Sequence, residues 1–113
     1  MPSRSLKNKR VLITQANEFM EPILCEVFAE YGASVIAGTE SLSHPDAPAS
    51  VVAAAGQIDT LVANLAILNP TSPAAEASDD EWRSVFAALV DPLPRLARLV
   101  LPSMIERGLA RYW

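Results

Sequence analysis

The residues between Thr14 and Glu21 occupy the place in the sequence where a phosphate-binding loop would lie. An apolar run from Val11 to Thr14 precedes them, and Pro22 suits the first turn of a helix. Such a strand–loop–helix unit holds a phosphate with backbone N–H groups, and glycines let the backbone approach it. This loop has no glycine, and Glu18 and Glu21 are acids. The residues therefore argue against a bound diphosphate.

Other candidates for chemistry are few. The chain has one cysteine, Cys25, and one histidine, His44. Cys25 lies in an apolar helical pattern, which favours a buried core thiol over a nucleophile. His44 lies in a loop with no partner pattern of base and nucleophile, so we expect a solvated imidazole. We predict no catalytic residue and no metal site in this chain.

The composition limits the class of protein. Of 113 residues, 50% are hydrophobic and 19% are charged, which excludes disorder and suggests more apolar surface than a small monomer buries. The net charge of −4 makes nucleic acid an unsuitable partner. No apolar run reaches the roughly 18 residues of a membrane span, and no signal-peptide pattern opens the chain. We therefore expect a cytoplasmic protein with no membrane partner.

Three apolar runs predict buried strands, at 11–14, 33–37 and 58–63. Helical patterns lie between and after them, at 22–31 and 51–55 and as one long helix over 79–107. Pro92 and Pro94 predict a kink in that helix rather than a clean break. Alternating strands and helices indicate an α/β fold with about three parallel strands in the order 2-1-3 and helices on both faces. We expect residues 1–113 to form a single partial Rossmann-like domain.

Five segments, in this order, resemble the short-chain dehydrogenase/reductase superfamily: Leu6–Thr14, Tyr31–Ile36, Gly56–Ala66, Glu81–Phe86 and Val100–Gly108. The resemblance implies an oxidoreductase fold that binds NAD(P). It also implies that the catalytic Ser, and the Tyr with its Lys or Arg, would lie beyond the next strand, in segments that this chain lacks. The segment from Thr39 to Asp59 is short for the family, so we expect one crossover to be deleted.

The chain departs from the family at its cofactor-binding positions. The family's first turn reads Thr-Gly-x-x-x-Gly-x-Gly, and Gln15, Phe19 and Glu21 replace the glycines here. We expect at most a vestigial cofactor site, whose candidate residues are Thr14, Asn17, Phe19, Thr39 and Asn64. Asn64 remains from the family's Asn-Asn-Ala-Gly, and Thr39 replaces the acid that would contact the ribose of NAD. We therefore predict no cofactor in this chain, with NAD(P) implied by the family resemblance alone.

Thr14 and Phe19 also match a glycine-poor turn of the form Thr-x4-Phe, which resembles the halohydrin dehalogenase branch of the superfamily. In that branch a halide site replaces the nicotinamide site. The alternative is that Phe19 is a packing aromatic in a decayed nucleotide site, and both interpretations stay open.

These observations predict a truncated or degenerate short-chain dehydrogenase-like protein without independent catalysis. The alternative is a fragment of a functional NAD(P)-dependent oxidoreductase or of a cofactor-independent halohydrin dehalogenase. A third hypothesis is a sensor for a small anion at the strand ends. We also expect a homo-oligomer, most simply a two-fold dimer, that buries the 79–107 helix and an exposed sheet edge. A charge at Leu96 or Leu99 should then impair association.

Overall fold

The computed structural model describes residues 5–16, 21–66 and 73–109. Its one sheet contains three parallel strands, β1 (Arg10–Ile13), β2 (Ser34–Ala37) and β3 (Thr60–Val62). The spatial order β2-β1-β3 confirms the predicted order 2-1-3. In the register, Leu12 of β1 pairs with Ile36 on one side and Leu61 on the other.

The central strand, β1, is the most deeply buried strand of the sheet. Val11, Leu12 and Ile13 are fully buried, as a strand with neighbours on both edges and helices on both faces should be. The expectation of a buried second strand was wrong, because β2 is only half-buried and exposes Ser34 and Ala37. This strand lies at the edge of the sheet in the described part of the chain, so it lacks the cover that β1 receives.

The described residues include four helices: α1 (Glu21–Glu30), α2 (Ala47–Ala55), α3 (Asp79–Leu89) and α4 (Pro92–Glu106). Helix α1 packs against β1 and β2, whereas α2 packs against α4. A short 3₁₀ turn, Ala74–Glu76, precedes α3. Gly32 and Gly56 follow α1 and α2 with φ angles of 94° and 73°, which favour glycine and end the helices where the sequence predicts.

The main core lies between the sheet and the α2–α4 pair. Leu12 enters it from β1, and Val11 and Ile13 point to the opposite, α1 face because side chains alternate along a strand. The other buried members of this core are Leu42, Val51, Ala55, Ile58, Leu96, Val100 and Met104. Leu96 is fully buried within the chain itself. It was therefore wrong to place Leu96 on an association face.

The prediction of one kinked helix over 79–107 was also wrong, because the chain breaks into α3 and α4 at Val90 and Asp91. The N–H groups of both residues donate to the Phe86 carbonyl, each at 2.9 Å. Pro92 and Pro94 then supply no N–H groups that could continue the α3 ladder. Two helices joined by this turn replace the single predicted helix, and α4, with 15 residues, is the long C-terminal helix that the sequence predicts.

Cys25 is half-buried in α1, and not the core thiol that the helical pattern suggested. Only part of the apolar stripe of α1 packs against the sheet. Ile23, Val27 and Tyr31 remain exposed, and Leu24 and Phe28 are half-buried. Among the described residues, no helix has the length and apolar character needed to cross a membrane.

Candidate functional site

The carboxyl ends of β1 and β3 form the edge of the sheet where a ligand would be expected. The chain leaves β1 for β2 on one side and then crosses to β3 on the other. Open α/β sheets bind ligands in the crevice at such a reversal, outside the carboxyl ends of the strands. Thr14 and Gln15 follow β1 at this edge, and residues 63–66 follow β3.

Two of the predicted site residues meet here. The Thr14 hydroxyl donates to the Asn64 carbonyl oxygen at 2.8 Å, and the Thr14 N–H donates to the Val62 carbonyl at 3.1 Å. The Asn64 side-chain amide donates to the Gln15 carbonyl, also at 3.1 Å. Thr14 is buried. The donors of this pair are thus used to join the two strand ends to each other.

Gln15 also links the two strand ends. From the sequence alone it was noted only as a residue that replaces a glycine of the family. Its Nε2 donates to the Ala66 carbonyl at 3.0 Å, and its Oε1 accepts from the Ala66 N–H at 3.1 Å. The residue is 6% exposed, and its φ angle is 44°, in the left-handed region. Gln15 stands where the family's first turn has a glycine. This replacement was the signal in the sequence that the side chain has a structural role.

The amide of Gln15 therefore occupies the gap between the turn after β1 and the segment after β3. Its amide nitrogen and its amide oxygen each make one hydrogen bond to the same residue, Ala66. We call this set of contacts the Gln15 junction; it comprises Thr14, Gln15, Asn64 and Ala66.

Thr39 lies elsewhere, at the carboxyl end of β2 on the other side of β1. It lines an open cavity of about 180 Å³ together with Gly38, Glu40 and Val51. Sites for drug-sized ligands usually begin at about 300 Å³, so this cavity is small for a nucleotide. The Ala16 N–H donates to the Gly38 carbonyl at 2.6 Å and closes the turn after β1 against β2.

The remaining predicted residues cannot be placed. Asn17 and Phe19, and also Glu18, lie outside the described residues, and Glu21 is described only as the first residue of α1. The ligand-binding roles of Thr14, Asn17, Phe19, Thr39 and Asn64 stay predictions.

A second polar cluster lies at the opposite end of the sheet and was missed in the sequence. Asp59, just before β3, accepts from the Arg107 guanidinium at 2.6 Å and from the Arg10 N–H at 2.8 Å. The Arg10 N–H and then the Arg107 side chain hold the pKa of Asp59 below its ordinary value of 3.8, because both stabilise the carboxylate. This cluster fixes the end of α4 to the start of β1 and β3, far from the Gln15 junction.

His44 is solvated, as the sequence predicts, and its Nδ1 accepts from the Asp46 N–H at 3.1 Å. Within 5–16, 21–66 and 73–109, no three His, Cys, Asp or Glu side chains are placed to share a metal ion.

Comparison with known proteins identifies the wider group. The family model described as short chain dehydrogenase matches residues 9–111. The fold matches L-sorbose reductase from Gluconobacter frateurii, solved with NADPH and L-sorbose, with a TM-score of 0.81 at 24% identity over 95% of this chain and 51% of that one. A protein described as a dehalogenation enzyme matches with a TM-score of 0.76 at 29% identity, over 90% of this chain and 51% of the other.

The 2-keto-3-deoxy-D-gluconate dehydrogenase from Streptococcus agalactiae gives a TM-score of 0.74 at 23% identity, over 92% of this chain and 49% of that one. The chain thus spans about half the length of these solved structures. No curated protein matches the sequence significantly.

Proposed function

This chain belongs to the short-chain dehydrogenase family, and we propose that it is a degenerate member that binds no dinucleotide and has no independent catalysis. The observation that carries the proposal is the Gln15 junction. A dinucleotide site needs close backbone approach to a pyrophosphate, which glycines permit. In this chain a buried glutamine side chain lies at that turn and is hydrogen-bonded to the segment after β3.

The catalytic half of the proposal rests on the family resemblance. The resemblance places the catalytic Ser and the Tyr with its Lys or Arg beyond the next strand, and residues 1–113 supply no matching group. A tyrosine has an ordinary pKa of about 10 and needs a nearby cation to act as an acid or base near neutrality.

Calorimetric titration of the full chain with NAD(H) and NADP(H) tests the cofactor half, and turnover of haloalcohols and of alcohols with NAD(P) tests the catalytic half. We expect neither saturable heat nor turnover. Gln15→Gly is the variant to compare with the wild-type chain. It removes the glutamine side chain, and glycine readily adopts the same backbone angle. Micromolar binding of a dinucleotide to the wild-type chain would contradict the proposal.

The second candidate is a fragment of a functional enzyme, and the similarity to the dehalogenation enzyme at 29% identity favours it specifically. The coding sequence downstream would decide. A Ser followed by Tyr-x-x-x-Lys would indicate an NAD(P)-dependent oxidoreductase, and a Ser followed by Tyr-x-x-x-Arg would indicate a cofactor-independent halohydrin dehalogenase.

We also propose that the chain is a cytoplasmic homo-oligomer. Apolar side chains stay exposed along α3, α4 and the turn between them: Trp82, Phe86, Leu89, Val90, Leu93, Leu99 and Leu101. Trp82 and Phe86 form an edge-to-face pair with ring centroids 6.3 Å apart. Exposed aromatic and aliphatic surface of this kind is typical of protein interfaces. We expect a second copy of the chain to cover this surface, in a two-fold arrangement.

A further inference from the structure

We propose that a groove between the first turn of α2 and the middle of α4 is a phosphate-binding site. The groove has a volume of about 260 Å³ and is lined by two arginines, Arg95 and Arg98, and otherwise by Pro45, Pro48, Ala49 and Leu99. It lies on the α2–α4 side of the sheet and shares no lining residue with the Gln15 junction or with the cavity at Thr39. The proposal is therefore independent of the family's cofactor.

The first argument is that the two arginines lack counter-ions. In the part of the chain that the structure describes, the ion pairs involve Arg83, Arg107 and His44, and neither Arg95 nor Arg98. Asp91, the acid nearest to them in sequence, forms no ion pair with either arginine, and neither does Asp46, which follows the groove residue Pro45. Two cations three residues apart on one helix repel each other, so an anion between them would stabilise both.

The second argument is a buried donor. The Nη1 atom of Arg95 is buried and has no hydrogen-bond partner among the described residues. Leaving a buried charged donor unsatisfied is costly, and such a group commonly marks a site for a missing ion or ligand. Arg98 is exposed three residues further along α4, so an incoming anion can reach its guanidinium from solvent.

The third argument is the nearby end of α2. This helix has nine residues and carries no acid in its first turn, and the side chain of its N-cap residue, Asp46, makes no capping bond. The Asp46 carboxylate is 91% exposed and lies 3.9 Å from His44 Nδ1. Ala49 lines the groove in the first turn of α2, at the positive end of the helix dipole.

Phosphate is the anion that these features fit. A guanidinium donates two parallel N–H groups, a geometry that matches the oxygens of phosphate, and a dianion can satisfy two arginines together. The volume is below the roughly 300 Å³ at which sites for larger ligands begin, and the rest of the lining is apolar. The ligand class is therefore inorganic phosphate or a small phosphate monoester.

Calorimetric titration of the full chain with inorganic phosphate at constant ionic strength tests the site. We expect saturable binding that Arg95→Gln and Arg98→Gln each weaken by about tenfold, through loss of charge-assisted hydrogen bonds. Arg83→Gln, at an exposed arginine of α3, is the matched control and should leave the affinity unchanged. Thermal unfolding in phosphate-free buffer verifies that each variant folds. If Arg95→Gln does not fold, Arg98→Gln alone tests the site.

Two further arms test the selectivity and the source of the anion. Acetate should bind much more weakly than phosphate, and a small phosphate monoester that binds more tightly than phosphate would identify the monoester as the ligand. The proposal is overturned if phosphate shows no saturable binding, if Arg83→Gln loses as much affinity as Arg98→Gln, or if acetate equals phosphate. It is also overturned if the Arg98→Gln change weakens self-association and leaves phosphate binding unaltered, since the arginines would then serve carboxylates of a second copy.

Discussion

At the turn after β1, Gln15 keeps a left-handed backbone that glycine would adopt at lower cost. A non-glycine residue there pays about 1–2 kcal/mol of steric strain. The two hydrogen bonds to Ala66 offset that strain, since each is worth about 1 kcal/mol net in a buried setting. The side chain and the backbone angle therefore depend on each other.

The balance at Gln15 can be measured with two substitutions. Gln15→Ala keeps the strain and loses both hydrogen bonds, so we expect it to lower the free energy of unfolding by about 2 kcal/mol. Gln15→Gly loses the same bonds but relieves the strain, and should cost about 1 kcal/mol less than Gln15→Ala. Urea denaturation measures both, and equal losses would show that the backbone strain is absent.

Asp59 makes stability depend on pH in a defined direction. Its folded-state pKa lies below the ordinary value of 3.8, so the unfolded chain binds the proton more readily. The stabilisation is present above the unfolded-state pKa and is lost as the pH falls through the folded-state pKa. Asp59→Asn should therefore lower stability at neutral pH and flatten this acid limb, as measured by urea denaturation between neutral and acidic pH.

The control for Asp59 is Asp80→Asn, which changes an exposed carboxylate that pairs with Arg83 on the surface. Exposed ion pairs contribute little to stability, so this variant should keep the acid limb of the wild-type chain. An acid limb that persists in Asp59→Asn would assign the pH dependence to other groups.

At the scale of elements, helix α3 begins at a side-chain cap. The Ser78 hydroxyl accepts from the Glu81 N–H at 3.2 Å, and acids fill the first turn. Ser78→Ala should lower the free energy of unfolding by about 1 kcal/mol, because an N–H group of the first turn loses its acceptor. Ser84→Ala, an exposed change inside the same helix, should have almost no effect in the same thermal or urea unfolding experiment.

Helix α4 has two faces with different functions in packing. Leu96 is fully buried, whereas Leu99 is 42% exposed. We expect Leu96→Ala to cost about 2–5 kcal/mol through loss of burial and the cavity that remains, and Leu99→Ala to cost clearly less. Similar losses for the two variants in urea denaturation would show that the exposed face of α4 is covered in solution.

At the scale of the whole molecule, the exposed apolar residues of α3 and α4 predict self-association. Phe86→Glu and Leu99→Glu should shift the protein towards monomer without unfolding it, because each places a charge on an exposed apolar surface. Light scattering across a concentration series measures the mass. Ser84→Glu is the matched control on α3, and a wild-type monomer at high micromolar concentration would contradict the oligomer.

Leu96→Glu would give no information on association, although it had seemed a suitable test from the sequence. A helical period identifies which residues share a stripe, but it does not state whether that stripe meets the chain's own sheet or a second copy. The structure assigns Leu96 to the internal core with Val100 and Met104. Circular dichroism should show loss of folding for this variant.

The sequence by itself determined the class of fold and the order of its strands. Apolar runs, glycine stops and the family-like segments are local features, and each is written in a few neighbouring residues such as Val11 to Ile13 or Gly32. The glycine that Gln15 replaces could be read in the same way. The strand order then follows from the rules that govern parallel crossovers.

Only the tertiary structure decided what the side chains at those positions contact. Gln15 and Ala66 are 51 residues apart along the chain, and Asp59 and Arg107 are 48 apart, so no local pattern encodes either contact. The structure also decided that the helical period over 79–107 divides into α3 and α4, because the N–H groups of Val90 and Asp91 both donate to the Phe86 carbonyl. Contacts between distant segments arise from the packing of whole elements, and that packing placed both the Gln15 junction and the arginine groove.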